Sequence, residues 1–226
     1  MTPVGQDAAT LLGAYDEHLR GPVELAGATD VATDGPLYRG RFSDTGFVTH
    51  RPLAPGADLP ALVARTIAHF AATDVVEFEW KTRGHDLPGL APLLRAHGLV
   101  PGPEETLMVG PVDLALGESA GPVTVRRAGA DGDTTLWLAE ADGVLVGTGR
   151  LEVVPGTPFA GLWGGAVDPA WRHRGVYRAL TAARARYARA HGVRLLHSDC
   201  LPTSRPILER AGLVAVGTTT PWVWRR

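Results

Sequence analysis

Apolar and polar positions alternate along this chain in two distinct rhythms. From Asp7 to Arg20, Ala8, Leu11, Leu12, Tyr15 and Leu19 recur at helical spacing, and Gly21-Pro22 ends the pattern. The same rhythm predicts helices over Leu59–Ala72, with Leu62, Ile67 and Phe70 facing the core, and over Leu87–His97, closed by Gly98. A further helix of about four turns follows Gly175, where Val176, Ala179, Leu180, Ala183 and Tyr187 share one face. The period-2 rhythm predicts strands over Leu37–Phe42 and Gly46–His50, joined by Ser43-Asp44-Thr45. Val75–Lys81 alternates strongly and puts Glu77 and Glu79 on one face. Strands are also expected over Glu105–Val112, Val123–Arg127 and Val193–Ser198, and in a hairpin of Leu136–Glu140 with Gly143–Val153. Phe159–Val167 is apolar, aromatic or glycine throughout, as a buried strand is, and Pro169 stops its pairing because proline has no N–H to donate. Strands alternating with helices predict an α/β fold built on a mixed sheet.

Composition adds mainly exclusions. The chain has 226 residues, enough for one large domain or two small ones. Its formal net charge is −2, which favours neither nucleic acid nor an anionic membrane as a partner. One cysteine, Cys200, leaves no internal disulfide and no cysteine-based zinc site, and no metal is expected. The first ten residues lack a basic and apolar leader, and no apolar run reaches the length of a membrane span. The expectation is a soluble cytoplasmic protein.

Basic residues are concentrated locally, from Arg172 to Arg194. Arg172, His173, Arg174 and Gly175 stand where a strand turns into a helix. The first N–H groups of a helix lack intrahelical acceptors and form the positive end of its dipole. Basic residues there oppose the dipole, so their presence points to a bound polyanion. Gly175 inside this loop allows a phosphate to approach the backbone closely.

The pattern Arg172-x-x-Gly175-x-Tyr177, after the V-x-P strand end Val167–Pro169, resembles the pyrophosphate loop of the GNAT superfamily of acyl-CoA-dependent N-acyltransferases. Ser204-Arg-Pro-Ile-Leu-Glu-Arg-Ala-Gly-Leu213 is similar to that family's later helix. The resemblance covers roughly Val123 to Trp224 and extends, in the wording F-A-G-L-W-G-G and S-R-P-I-L-E-R, to an actinobacterial-type subgroup. It implies direct transfer of an acetyl or other acyl group from acetyl-CoA to the amine of a small molecule. It further implies that Arg172, His173, Arg174, Gly175, Val176 and Tyr177 hold the pyrophosphate, and that backbone N–H groups near Ala166 and Val167 meet the thioester carbonyl. Ser204 is expected to cap the following helix and to approach the pantetheine arm.

Two departures from the family pattern matter. The position of the usual tyrosine acid, four residues before Gly212, holds Leu208. Asp199, just after its strand, and Glu152, at the end of its hairpin strand, are the candidate proton-handling groups, each also readable as an ordinary turn or strand carboxylate. Between the first two strands of the second half there is room only for Ala128–Thr135, where the family places two helices that wall the acceptor pocket.

Pro92-Leu-Leu-Arg-Ala-His-Gly-Leu-Val100 parallels Pro206-Ile-Leu-Glu-Arg-Ala-Gly-Leu-Val214, each preceded by a strand and, before that, a helix. The chain therefore reads as two tandem GNAT-like lobes: a degenerate one over residues 1–112, a linker over 113–122 and a cofactor-binding lobe over 123–226. In the first lobe the loop position holds R-P-L-A-P-G-A-D, whose prolines remove N–H donors, so no cofactor is expected there. Glu77, Glu79 and Trp80 are expected to supply the missing acceptor wall, in a cleft between the lobes. The alternatives are a CoA-binding sensor without turnover and an interaction protein using the same fold.

Overall fold

A computed structural model describes residues 7–116 and 123–226, so the first six residues and most of the expected linker lie outside the described residues. The described chain forms two compact units, neither contiguous in sequence: residues 13–105 with 217–226, called here the first lobe, and residues 7–12 with 106–116 and 123–216, the second. This differs from the division at 112 and 123 because two strands are exchanged in sequence order.

The first lobe contains most of helix α1 (Ala8–His18) and a mixed sheet. Strands β1 (Asp30–Asp34), β2 (Leu37–Phe42) and β3 (Thr45–His50) form an antiparallel meander. Helix α2 (Leu59–Ala71) crosses over to β4 (Glu77–Arg83), which lies parallel to β3. Helix α3 (Leu90–Ala96) and the short β5 (Val100–Pro101) follow. The strand that completes this sheet is not the next one in sequence. It is the end of the last strand, β12 (Val214–Arg225), whose residues Thr219–Arg225 run antiparallel to β4.

The second lobe repeats the scheme. β7 (Thr124–Asp131), β8 (Thr134–Ala141), β9 (Val144–Val153) and β10 (Phe159–Val167) form an antiparallel meander. Helix α4 (Val176–Ala190) crosses over to β11 (Leu195–Cys200), parallel to β10, and α5 (Arg205–Arg210) follows. Here β6 (Glu105–Pro111), which follows the first lobe's helix in sequence, pairs antiparallel with β11.

The sequence repeat is a repeat in space. After α3, Gly98 takes φ 84° and Leu99 donates its N–H to Leu94 O at 3.0 Å; after α5, Gly212 takes φ 94° and Leu213 donates to Leu208 O at 3.0 Å. Both are Schellman-type ends, where glycine reaches the left-handed region at little cost and a large apolar residue folds back on the helix. Leu94 and Leu208 are fully buried, each in its own lobe's core.

Sequence reading missed β1 and β12. D-V-A-T-D carries little apolar signal, and Pro221 inside V-A-V-G-T-T-T-P-W-V-W argues against a strand interior. β7 and β8 meet in a hairpin around Gly132, so residues 128–131 and 134–135 are themselves strand and no helix lies between them. The expected linker begins as part of the second lobe: Leu114–Leu116 is a 3-10 turn, and Ala115 is buried in that lobe's core.

Candidate functional site

In the second lobe the parallel pair β10–β11 is in register at only three positions, Phe159↔Leu195, Ala160↔Leu196 and Gly161↔His197. Beyond these the strands part. The Ser198 hydroxyl donates to Leu162 O at 2.9 Å across the start of the gap, standing in for a ladder bond. On its other side β10 stays paired to β9, with a bulge between Trp163 and Ala166 where Gly164 takes φ 55°. Gly164, Gly165 and Ala166 are exposed, so the strand expected to be buried throughout is buried only in its first half. Main-chain groups facing the gap have lost their neighbour and are open to a ligand laid along the strand.

The chain leaves β10 through a loop of unusual conformation. Asp168 caps a 3-10 turn, Pro169–Trp171, by accepting from Ala170 N–H at 2.8 Å. Arg172 is extended, and His173 and Gly175 take φ 62° and 84°. Helix α4 starts at Val176 with no side-chain cap, and Ala179 N–H makes a bond to Gly175 O at 2.9 Å. The N–H groups of Val176, Tyr177 and Arg178 precede any intrahelical acceptor. Arg172, His173 and Arg174 are exposed around them, and the Arg174 guanidinium lies 5.0 Å from the Trp171 ring centroid. This is a concave set of donors at the positive end of a four-turn dipole, built for an anion.

Tyr177 is half-buried and turns inward, not toward the loop. Its ring lies on Gly165, where a Cβ would meet Cε2 at 2.6 Å, so that position excludes a side chain. It also bonds Arg184, a fully buried guanidinium that donates to Leu180 O at 3.1 Å and Arg150 O at 2.9 Å. Burial pushes the Arg184 pKa down to about 10, so it stays charged at neutral pH.

Register brings the candidate carboxylates to one face of the sheet. Glu152 opposes Gly161, His197 opposes Gly161 from the other side, and Asp199 lies two residues beyond His197. Asp199 lies inside β11, opposite Leu107, and not after the strand as expected. Trp163 shares this face: its indole N–H donates to Glu152 Oε2 at 2.8 Å, and its ring meets buried His197 edge-on at 5.1 Å. Core residues Leu151, Leu162 and Leu196 occupy the opposite face, with α4.

Other expected roles change. Ser204 occupies the N-cap position of α5, but its side chain makes no capping bond, because its backbone is already helical at φ −91°, ψ −28°. Trp80 is fully buried in the first lobe's core, so its indole offers no acceptor wall, and Glu77 forms an exposed ion pair with Arg225 at 3.0 Å. Trp163 escaped sequence reading. Its signal was F-A-G-L-W-G-G, where glycines flank a tryptophan at a strand that must bend.

The first lobe has the same gap, closed. β3 and β4 are in register from Thr45↔Glu77 to Val48↔Trp80 and then part. Arg83 donates to Thr49 Oγ1 at 3.3 Å and binds both oxygens of Glu24 at 2.6 and 2.7 Å. Beside it Arg20, buried, donates to Asp86 at 2.7 Å, to Asp16 at 3.2 Å and to His50 O at 3.0 Å. Arg83 and Lys81 outweigh desolvation and hold the Glu24 carboxyl down at about 2, while burial pushes His50 down to about 4. Helix α2 is also sealed: Asp58 accepts from Ala61 N–H at 3.0 Å and Pro60 has no N–H to offer.

Residues 115–212 match the model of the acetyltransferase (GNAT) family. No curated protein matches the chain. Among solved structures, a GCN5-related N-acetyltransferase from Kribbella flavida aligns with a TM-score of 0.69 at 19% identity, over 96% of this chain and 93% of that one. A tandem GNAT protein from the clavulanic acid biosynthesis pathway aligns with a TM-score of 0.63 at 15% identity, over 98% and 97%. At these identities the likeness is one of fold. It extends over both lobes, and with the family match and the split strand pair beside an uncapped helix, it shows that the chain has the mixed-sheet GNAT fold and carries a GNAT acetyltransferase domain, of the family that transfers acyl groups from acyl-CoA.

Proposed function

We propose that this protein is a cytoplasmic N-acetyltransferase that moves the acetyl group of acetyl-CoA directly to the amine of a small molecule, without a metal. The observation that carries this is the junction of the β10–β11 gap with the bare N-terminus of α4. Arg172, His173, Arg174, Gly175, Val176 and Tyr177 form the pyrophosphate loop, the arginines by charge and the last two by their N–H groups. The pantetheine arm lies along the open edge of β10 and passes Ser204. N–H groups at Ala166 and Val167 meet the thioester oxygen as negative charge develops there.

A protonated amine first gives one proton to a carboxylate. Glu152, whose Oε2 is fixed by the indole, has Oε1 to receive it, and Asp199 is the second candidate on the same face. The neutral nitrogen attacks the carbonyl, the C–N bond forms, and the C–S bond breaks. Sulfur leaves as thiolate and takes the nitrogen's remaining surplus proton through water, giving amide and thiol. Leu208, fully buried, takes no part in this transfer.

In this reading only the second lobe binds cofactor. The first lobe's gap is filled by its own ion pairs, and its helix is capped by its own aspartate. Calorimetry with acetyl-CoA, followed by thiol release over a library of small amines, tests the assignment: one site per chain and amine-dependent release are expected. A second reading, a CoA-binding sensor, is favoured by the apolar residue at the family's acid position; it predicts binding with no release for any amine.

A further inference from the structure

Arg150 and Glu152 alternate along β9 and so point to the same face, about 6.6 Å apart along the strand. Among the described residues the two opposite charges do not pair. Glu152 is held by the Trp163 indole, and Arg150 makes no ion pair. Trp163 lies between them. It is directly opposite Arg150 in the β9–β10 register, and its indole folds back over Gly161 to reach Glu152. That fold requires glycine, since a Cβ at 161 would lie 2.4 Å from the indole nitrogen. Arg150 turns the other way, onto the bulge: a Cβ at Gly164 would lie 3.1 Å from its Nε. The result is an aromatic side chain with a carboxylate at one end and an exposed guanidinium at the other, beside the exposed segment Gly164–Ala166.

Unpaired opposite charges this close normally collapse onto one another. Here the indole holds Glu152, in a fold that only a glycine at 161 permits, and Arg150 lies against Gly164. A ligand carrying both charges satisfies both: an ammonium against Glu152 and the indole, a carboxylate in the fork of Arg150. We propose that the acceptor is an amino acid or amino-acid-like zwitterion, with Trp163 and Arg150 as the residues that select it. This names the substrate class within the acyl-transfer reading and rests on it for the identity of the reaction.

The test is a binding measurement on the full chain. With 15N-labelled tryptophan the protein gives six indole signals, and Trp163→Phe identifies one of them. Each of the twenty proteinogenic amino acids is titrated with and without saturating CoA. At least one is expected to move the Trp163 signal, and to bind at least tenfold more tightly than its decarboxylated amine or its deaminated acid. Arg150→Gln should reduce that amino acid to the affinity of the amine, and Glu152→Gln to that of the acid; the dispersion of the other indole signals reports folding in each variant. The proposal is overturned if none of the twenty moves the signal, or if the amine binds as tightly as the amino acid. Calorimetry with acetyl-CoA on the same samples separates the two readings. Acetyl-CoA binding without amino-acid binding removes the subsite and keeps the acyltransferase. Amino-acid binding without acetyl-CoA binding does the reverse.

Discussion

In the first lobe the parallel strands part after Val48 and Trp80; in the second they part after Gly161 and His197. The backbone event is the same, and the side chains around it are opposite. The second lobe places glycine and alanine at the opening and exposes them. The first lobe places Thr49, His50 and Arg83 there, buries them, and closes the space with Glu24 from a 3-10 turn. A split sheet edge leaves main-chain groups without partners, and a protein can leave them for a ligand or satisfy them with its own side chains. On the proposed reading this chain does both, which separates what the fold supplies from what the residues add.

The sharpest way to break this contrast is to empty the filled gap. Arg83→Met takes from half-buried Glu24 the guanidinium that binds both its oxygens and leaves it Lys81 at 3.5 Å and Thr49. Breaking a buried pair costs about 3–5 kcal/mol, and the effect should approach the lower end of that range. Chemical denaturation should show a large loss of stability, with acetyl-CoA affinity of the folded protein unchanged. In the open gap, Gly175→Glu places a side chain and a negative charge in a left-handed loop position facing the anion site. Calorimetry should show acetyl-CoA binding weakened about a hundredfold, or about 2.7 kcal/mol, with folding intact. Arg172→Ala removes one charged donor and should weaken binding about tenfold; unchanged affinity would remove Arg172 from the site. The smallest effect belongs to the sealed helix: Asp58→Ala should cost about 1 kcal/mol of stability and leave cofactor binding untouched.

Acid should tell the lobes apart as well. His50 is held at about 4 against an ordinary 6.5, so the unfolded chain binds its proton first as pH falls. Its contribution is intact above 6.5 and is lost as pH falls toward 4. Glu24, held at about 2 against an ordinary 4.5, contributes fully above 4.5 and loses its contribution toward 2. Both signs agree, so stability measured between pH 7 and pH 3 should fall steadily, and Glu24→Gln should flatten the lower part of the curve.

The anion loop was legible because its chemistry is local. Strand end, arginines, glycine and helix start lie within Val167–Tyr177, and the rule that cations avoid a helix N-terminus made them the candidates for an anion site. The repeat was legible for the same reason, since each Gly-Leu helix end is one contiguous motif. Strand exchange was not, because β6 and β12 each stand next in sequence to the wrong lobe and nothing local marks a partner. The face shared by Glu152, Trp163 and His197 was equally hidden. It depends on the register of three strands, which sequence spacing does not set. Alternation already put Trp80 on the face of β4 opposite Glu77 and Glu79, and the structure buries that face with Phe78, so the three could not line one wall.

The pairing of β12 with β4 also sets a timetable. Arg225 bonds Glu77 across 148 residues, so β12 completes a sheet whose other strands were made far earlier. During synthesis, every residue of β1 to β4 has left the ribosome long before the strand that completes their sheet exists. Until β12 has emerged, β4 waits with an unpaired edge, which is the kind of surface that recruits other chains. Losing residues 217–226 would strike the first lobe and leave β10 and β11, which flank the basic loop, whole.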